Sequence, residues 1–213
     1  MKTVFIVRHG QTLWNVEQRM QGRLDSALTD AGKAQAISHG QLLKSLGGIE
    51  RMYVSPSGRT QETAFLLNSF LGAQMSTNDV LMERDCGIWS GLTVEEVRGQ
   101  FPKEWEARRR DPYGHRPPGG ENTQDLVQRV AEFVDSLHGQ SSKRLAIVTH
   151  AVMSRAILTH LLDLEPTLSG RVRHPNNALY QVDVDADGLS ACHYLDGEGP
   201  TEGLLHNPVG QRA

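Results

Sequence analysis

Two histidines, two arginines and one glutamate stand where a sheet-based active site would collect them. His9 and His150 each follow a short apolar run, and Arg8 directly precedes His9. Arg59 lies shortly after a third such run, and Glu83 comes after a fourth. In open parallel sheets, ligands bind beyond the carboxyl ends of the strands, so these side chains are expected at one edge. Imidazole, guanidinium and carboxyl groups are together the set needed to bind and transfer a phosphoryl group.

The chemistry of phosphate explains why these residue types belong together. A phosphomonoester carries nearly two negative charges, and displacement at phosphorus spreads that charge over the equatorial oxygens. Guanidiniums bind those oxygens in pairs, and backbone N–H groups at helix starts add to the field. A nucleophile must approach on one side while an acid protonates the leaving oxygen on the other.

Each of these residues also has a structural alternative when it is taken alone. A histidine after a strand is more often a satisfied structural residue than a nucleophile, which applies to His9 and to His150. Arg59 alone fits a charge on a helix surface, and Glu83 with Arg84 fits a solvated strand end. The joint placement of all these residues favours the phosphate site.

The elements that must position these residues are visible as apolar runs. Short runs rich in β-branched residues predict strands buried on both faces. They cover residues 4–7, 51–54 and 145–148, and we also treat 79–82 as a strand. An alternating pattern over residues 178–184, a turn at 185–188 and a return over 189–195 predict a hairpin at the sheet edge.

Helix signals alternate with these strands. Thr29 can cap a helix that ends at Gly47-Gly48. Its apolar face would hold Ala34, Ile37, Leu42, Leu43 and Leu46. Further helices are predicted from the Ser-Pro-Ser turn at 55–57 to about residue 71, and over 152–162. A fourth helix starts at Thr123, and its apolar stripe comprises Leu126, Val127, Val130, Phe133, Val134 and Leu137.

Alternating strands and helices predict an α/β fold, a three-layer α/β/α sandwich with a mainly parallel sheet and a terminal hairpin. We expect a single domain over residues 1–196 with a lid-like insertion at about 84–122, because 108–122 is rich in Pro and Gly and is predicted to be an exposed loop. Residues 197–213 hold four glycines and two prolines and are predicted to form a loose tail.

Composition excludes several classes of protein. The chain has 213 residues, a net charge of -3 and 38% hydrophobic residues, with a mean hydropathy of -0.42, which is a globular composition. That charge argues against wholesale binding to nucleic acid, and the N-terminal apolar run of four residues is too short for a signal peptide or membrane anchor. Cys86 and Cys192 form neither a disulfide framework nor a zinc motif. We therefore expect a cytoplasmic protein.

The motifs at these positions resemble those of the histidine phosphatase superfamily, also called the phosphoglycerate mutase-like family. Residues 8–12, Arg-His-Gly-Gln-Thr, match its RHG[EQ]T signature, with Asn15 three positions further on. The resemblance extends, in the family's order, over most of residues 3–184. The other matching segments are Gln21-Gly22, 25–29, 55–60, 81–83 with Gly87 and Gly91, 118–121 and 148–150.

The resemblance implies a role for each matching residue. His9 would be the nucleophile that becomes phosphohistidine, and Glu83 the general acid and then the base that activates water. Arg8, Arg59 and His150 would hold the transferring phosphoryl group. Asn15, Gln21, Gly22 and the backbone N–H of Ala151 are the remaining substrate-binding candidates. The family needs no metal in this step, so we expect no metal and no cofactor.

Two departures from the family pattern bear on the reaction. Ala151 follows His150 where the family often has glycine. Cofactor-dependent mutases carry His-Tyr-Gly after the acid glutamate, whereas Asp85-Cys86-Gly87 stands here. The loop that ends in Pro-Gly-Gly-Glu is similar to that of the phosphatase branch. We therefore expect hydrolysis of a small phosphomonoester, with a phosphoglycerate mutase as the first alternative and a non-catalytic phosphate-binding module as the second.

Arg108, Arg109 and Arg110 have two interpretations. As a cationic lid, they would recognise a second acidic group on the substrate, as paired arginines do in the mutases. As cations at a helix C-terminus, they would complement its dipole and face water. We favour the second interpretation, because three consecutive side chains cannot all point inward. The sequence leaves the oligomeric state open, with a homodimer as one option.

Overall fold

The computed structural model describes residues 2–185 and 188–206. A seven-stranded sheet runs through the molecule in the order β3-β2-β4-β1-β5-β6-β7. The strands are β1 Lys2–Arg8, β2 Arg51–Val54, β3 Gln74–Thr77, β4 Arg144–Thr149, β5 Ala178–Val184, β6 Leu189–Leu195 and β7 Glu198–Glu202. The helices are α1 Leu13–Val16, α2 Asp30–Ser45, α3 Gly58–Asn68, α4 Val94–Gln100, α5 Pro102–Arg110, α6 Thr123–His138 and α7 Ala151–Leu161. Short 3₁₀ helices cover Asp79–Leu81, Gly87–Trp89 and Pro166–Arg171.

Strand β1 lies at the centre of the sheet. It pairs in parallel with β4 on one side and antiparallel with β5 on the other. Strands β2 and β3 continue the parallel half, so the carboxyl ends of β1, β2 and β4 meet at one edge. Residues 4–7 of β1 are at most 1% exposed, as a strand covered on both faces requires.

Helices cover both faces of this sheet, which confirms the three-layer α/β/α prediction. One core cluster joins the sheet to α6 and α7 and includes Leu126, Val130 and Ile157. The other joins it to α2 and α3 and includes Leu43 and Leu67. The predicted stripe of α6 is confirmed, with Val127 and Phe133 only partly buried at its margin.

The predicted apolar face of α2 is wrong in its N-terminal half. Thr29 does cap the helix, accepting a hydrogen bond from the backbone of Gly32. Ala34 and Ile37, however, are exposed, and the buried positions are Gly32, Ala36, His39, Gly40 and Leu43. A Cβ on Gly32 would lie 2.1 Å from the Gln11 carbonyl oxygen, so this helix packs through its backbone, a contact that hydrophobic periodicity does not encode.

Three local predictions also differ from the structure. Residues 79–82 form a 3₁₀ helix and its end, and the strand lies earlier, at β3. The hairpin β5–β6 has the predicted bounds, but β7 pairs with β6 and takes the sheet edge. Part of the predicted loose tail is therefore a strand. Residues 207–213 of that tail and the middle of the predicted turn at 185–188 lie outside the described residues.

Residues 108–110 are the last turn of α5, so the predicted exposed loop begins only at Asp111. Helices α4 and α5 both lie within the predicted insertion 84–122. Within residues 2–185 and 188–206, no helix has the length and apolar character needed to cross a bilayer.

Candidate active site

The ends of β1 and β4 bring two imidazoles together. The backbone N–H of His9 donates to the Thr149 carbonyl oxygen at 2.9 Å, which continues the pairing of the two strands by one residue. The ring centroids of His9 and His150 then lie 5.4 Å apart, at an interplanar angle of 61°. Residues 141 positions apart in sequence thus share one site because their strands are neighbours.

A hydrogen bond fixes the proton on the His9 ring, and the His150 ring has a hydroxyl as its partner. Nδ1 of His9 lies 2.8 Å from the Gly10 carbonyl oxygen, which can only accept, so Nδ1 carries the proton. The lone pair of a neutral His9 is then on Nε2. Nε2 of His150 lies 2.8 Å from Oγ of Ser55, and Nδ1 of His150 is buried without a hydrogen-bond partner in the described part of the chain.

Both imidazoles are held neutral. Burial lowers the pKa of His9 well below its usual value, and Arg8 and Arg59 lower it further. Burial also lowers the pKa of His150, with Arg59, His9 and Arg8 as the next causes. A neutral imidazole is the form that can act as a nucleophile.

Two guanidiniums flank the imidazoles. Arg8 donates from Nη1 to the His174 carbonyl oxygen at 2.9 Å. Burial lowers the pKa of Arg8 to about 10, although the neighbouring Glu83 carboxylate opposes this shift. Arg59 is 2% exposed and donates to Oδ1 of Asp25 at 2.9 Å and to the Gly22 carbonyl oxygen at 2.9 Å.

The Glu83 carboxylate sits at the N-terminus of the helix that follows His150. Its Oε2 accepts from the backbone N–H of Val152 at 3.2 Å, and its Oε1 accepts from that of Met153 at 3.1 Å. Oε1 also accepts from the backbone N–H of Arg84 at 2.8 Å. Free N–H groups in the first turn of a helix favour a negative charge, so α7 orients this carboxylate.

A cavity of about 160 Å³ opens beside these groups. Its lining comprises Arg8, His9, Asn15, Arg19, Met20, Gln21, Gly22, Arg59, Glu83, Arg84, Cys86 and Val152. Seven of the nine candidate residues from the sequence are in this set. His150 and Ala151 are not in this set, and His150 lies fully buried beside the His9 ring.

The candidate residues Asn15, Gln21 and Gly22 take part in hydrogen bonds with neighbouring residues of the protein. Oδ1 of Asn15 accepts from the backbone N–H of Thr12 at 3.1 Å and from Nδ2 of Asn176 at 3.4 Å, so the Asn15 amide group presents its N–H donors elsewhere. Nε2 of Gln21 donates to Oγ1 of Thr12 at 2.9 Å. Gly22 has a φ of +53°, a conformation that is unfavourable for residues with a side chain. Its carbonyl oxygen accepts from Arg59.

Arg84 is the main residue of the site that sequence reasoning missed. It lines the cavity, is 8% exposed, and its Nε has no partner in the described part of the chain. The interpretation of Glu83 and Arg84 as a solvated strand end is wrong, because the segment folds under α7. The sequence signal for Arg84 was its position directly after Glu83, and this position does not predict that the side chain is buried.

The three consecutive arginines of α5 differ in exposure. Arg109 and Arg110 are exposed and pair with Glu106, as the helix-terminus interpretation predicts. Arg108 is half-buried, and burial lowers its pKa to about 10, with Arg84 and Arg155 lowering it further. Arg108 therefore belongs to a group of cations near the cavity, and the interpretation that all three face water is wrong for it.

Several supporting residues carried no motif signal of their own. Asn176, in the turn before β5, donates to the His9 carbonyl oxygen at 2.7 Å, and Asp25 holds Arg59. Both contacts join segments that are distant in sequence. Among the described residues, no group of three or more His, Cys, Asp or Glu side chains is arranged to hold a metal ion.

The chain matches the family model described as Histidine phosphatase superfamily (branch 1) over residues 4–196. A probable phosphoglycerate mutase GpmB of Yersinia enterocolitica is 32% identical over 209 residues, which cover 96% of this chain and 95% of that protein. The corresponding protein of Salmonella paratyphi B is 32% identical and covers 86% of this chain and 85% of its own length.

Solved structures with the same fold include phosphatases. A mycobacterial glucosyl-3-phosphoglycerate phosphatase in complex with VO3 has a TM-score of 0.77 and 27% identity, covering 86% of this chain and 93% of that one. A putative alpha-ribazole-5'-P phosphatase from Escherichia coli has a TM-score of 0.81 over 97% of this chain and 98% of its own. Its identity is 20%, so this second likeness bears on the fold alone.

Proposed function

Because the chain belongs to branch 1 of the histidine phosphatase superfamily, we propose that it is a phosphomonoesterase that acts through phosphorylated His9. One observation carries the proposal. A neutral His9, protonated on Nδ1, lines a cavity that Arg8, Arg59 and Glu83 also line. Nucleophile, phosphate-binding cations and a proton donor thus share one space, which in-line displacement at phosphorus requires.

The first displacement transfers the phosphoryl group to the protein. Arg8, Arg59 and Asn15 bind the phosphoryl oxygens, and His150 donates from Nδ1 once Ser55 donates to its Nε2. The Nε2 lone pair of His9 attacks phosphorus while the bond to the leaving oxygen breaks. Protonated Glu83 gives its proton to that oxygen, so an alcohol leaves and a phosphohistidine and a carboxylate remain.

The second displacement restores the enzyme. The Glu83 carboxylate takes a proton from water, the water oxygen attacks phosphorus, and the bond to Nε2 of His9 breaks. Orthophosphate leaves, and Glu83 is again protonated. Both oxygens of Glu83 accept from backbone N–H groups in the structure, and these contacts stabilise the carboxylate that this second step needs.

The substrate class is inferred from Arg84 and the cations near it. Arg84 lines the cavity. Burial lowers the pKa of Arg155 and of Arg108, and the nearby Arg84 lowers the pKa of both further. A substrate whose leaving group carries a carboxylate or a second phosphate would relieve this mutual repulsion. The similarity to a glucosyl-3-phosphoglycerate phosphatase and to probable phosphoglycerate mutases supports an acidic, phosphorylated metabolite.

The second candidate is a phosphoglycerate mutase, which the names of the sequence relatives favour. A mutase must keep water from the phosphohistidine and retain a bisphosphorylated intermediate. Cys86 lines the cavity where the cofactor-dependent mutases carry a tyrosine, and this difference favours hydrolysis.

One experiment separates the candidates. The protein is mixed with p-nitrophenyl phosphate, quenched and digested, and the phosphorylated peptide is identified by mass spectrometry. We expect the phosphoryl group on His9.

Released orthophosphate and isomerised phosphoglycerate are then measured with and without bisphosphoglycerate. Phosphate release without isomerisation supports the hydrolase, isomerisation that depends on bisphosphoglycerate supports the mutase, and neither phosphohistidine nor turnover would leave a phosphate-binding module. A screen of phosphorylated metabolites for released orthophosphate then identifies the substrate.

A further inference from the structure

The segment that carries Glu83 lacks the support that strand pairing gives to His9 and His150. Residues 79–81 form a 3₁₀ helix, and the chain from Met82 to Asp85 runs beside the sheet without joining it. The Leu81 carbonyl oxygen accepts from Oγ1 of Thr149 at 2.8 Å, which ties the start of the segment to the end of β4. The N-terminus of α7 holds the Glu83 carboxylate, but the main chain that carries Glu83 must be held by other contacts.

Arg129 of α6 supplies most of these contacts. Its Nη1 donates to the Val80 carbonyl oxygen at 2.9 Å, and its Nη2 donates to that of Met82 at 3.0 Å. Nη2 also lies 3.4 Å from the Glu83 carbonyl oxygen. One planar guanidinium therefore binds the backbone on both sides of the turn that leads to Glu83, a geometry that a point charge such as lysine does not reproduce.

Glu121 binds the backbone that follows Glu83. Its backbone N–H donates to the Asp85 carbonyl oxygen at 2.9 Å, and its Oε2 accepts from the Asp85 backbone N–H at 2.9 Å. Oε1 of Glu121 lies 3.2 Å from Nε of Arg129, and Oε2 lies 3.2 Å from Nη2. The pair thus binds the chain before Glu83 through Arg129 and after it through Glu121.

We propose that Arg129 and Glu121 are positioning residues that hold the Glu83 carboxyl group in reach of the leaving oxygen. This inference rests on the acid–base role given to Glu83 in the proposed function. Neither Arg129 nor Glu121 is among the cavity-lining residues of the described chain, so they act through Glu83 and not on the substrate. A displacement of about 1 Å at an acid–base group can cost ~100-fold in rate.

Other side chains pack α6 against the sheet. Helix α6 is held by its buried stripe, in which Leu126, Val130 and Val134 are fully buried, and an Asn122 cap begins it. Removal of the Arg129 guanidinium leaves this packing in place. The expected consequence is a misplaced acid in a folded enzyme, which has a distinctive kinetic signature.

The test compares two leaving groups. p-Nitrophenolate leaves without protonation, whereas the alkoxide of β-glycerol phosphate needs a proton from Glu83. We expect Arg129→Gln to lower kcat for β-glycerol phosphate ~10–100-fold and kcat for p-nitrophenyl phosphate less than ~3-fold. Glu121→Gln should show the same selectivity at smaller size. Arg109→Gln is the matched control, because Arg109 forms an exposed pair with Glu106, and both rates should stay unchanged.

Glu83→Gln, measured in parallel, separates failure of the inference from failure of the proposed function. If Glu83→Gln slows both substrates equally, Glu83 is not the acid and the proposed function loses its proton donor. If Glu83→Gln is selective but Arg129→Gln and Glu121→Gln slow both substrates equally, or neither, the positioning role is overturned. Should Arg129→Gln fail to fold, Arg129→Lys and Glu121→Gln carry the same comparison, with thermal unfolding of each variant as the measure of folding.

Discussion

His9 and His150 stand at the ends of β1 and β4, whereas Glu83 follows a 3₁₀ helix beside the sheet. We call the first group, with Arg8, the nucleophile side of the site. The acid side comprises segment 79–87 and the loop 117–121 that crosses it. Main-chain pairing and the burial of His9 and His150 hold the nucleophile side, while side chains such as Arg129 and Glu121 hold the acid side.

This difference separates two kinds of precision. Strand register fixes the distance between the imidazoles, since a slip by one residue would turn every side chain of β1 to the other face. The acid side is set by a few charge-assisted hydrogen bonds, each of which one substitution can remove. A variant on the nucleophile side should therefore affect all substrates alike, and one on the acid side should affect only those whose leaving group needs a proton.

The largest effect is expected at His9. His9→Ala removes the covalent path, so kcat should fall by ~10³-fold or more for both p-nitrophenyl phosphate and β-glycerol phosphate. Orthophosphate release and trapping of the phosphoenzyme measure it. His160→Ala is the control, since His160 is a histidine near the surface that pairs with Asp135. Near-normal turnover by His9→Ala would refute the phosphohistidine mechanism.

Arg84 should act on binding, with a smaller effect. Arg84→Ala removes a cavity-lining guanidinium, so KM for a substrate with a second acidic group should rise ~10–100-fold, as expected for loss of a hydrogen bond to a charged group. KM for p-nitrophenyl phosphate, which has no second anion, should change little. Arg109→Ala is matched in chemistry but exposed and paired with Glu106, and it should leave both values unchanged. An equal rise for both substrates would assign Arg84 to the phosphoryl group instead.

The two sides also differ in how far the sequence predicts them. The nucleophile side follows from strands whose carboxyl ends must meet, so runs 4–7 and 145–148 were sufficient to bring His9 and His150 together. The acid side follows from contacts between segments such as Arg129 with Met82, which no period or motif spacing encodes. For the same reason, the burial of Arg84 and the division of Arg108 from Arg109 were not predictable.

Glycines in close contact with the backbone of other segments show the same limit and offer a matched pair of variants. A Cβ on Gly32 would lie 2.1 Å from the Gln11 carbonyl oxygen, behind the nucleophile side. A Cβ on Gly87 would lie 2.1 Å from the Pro118 carbonyl oxygen, and Gly87 has a φ of +52°. Such clashes with backbone cost ~1–3 kcal/mol of unfolding free energy each.

Gly32→Ala and Gly87→Ala should therefore be destabilised similarly in urea but differ in kinetics. Gly87→Ala should lower kcat for β-glycerol phosphate several-fold more than for p-nitrophenyl phosphate, because Gly87 lies on the acid side. Gly32→Ala should lower both to the same extent. Gly48→Ala is the control for backbone strain alone, since Gly48 has a φ of +76° and open space around its Cβ. Identical leaving-group profiles for Gly32→Ala and Gly87→Ala would remove the distinction between the two sides.

The smallest expected effect is on the pH dependence of the free energy of unfolding. It arises because the nucleophile side is built on buried neutral imidazoles. Burial lowers the pKa of His174, whose carbonyl oxygen holds Arg8, to about 3. In the unfolded chain its pKa returns to ~6.5, so between these values the unfolded state binds a proton that the folded state does not. Stability therefore falls as the pH falls through this window, by about 2 kcal/mol for His174 between pH 7 and pH 5.

His174→Gln tests this contribution, since glutamine does not titrate. The variant loses hydrogen bonds to Ser154 and Ala178 and should be less stable than the wild type at pH 7. Its further loss between pH 7 and pH 5, measured by urea unfolding, should be smaller than that of the wild type by about 2 kcal/mol. An unchanged pH dependence in His174→Gln would mean that His174 takes up its proton in the folded state. The residue whose carbonyl oxygen holds Arg8 would then carry a charged imidazole.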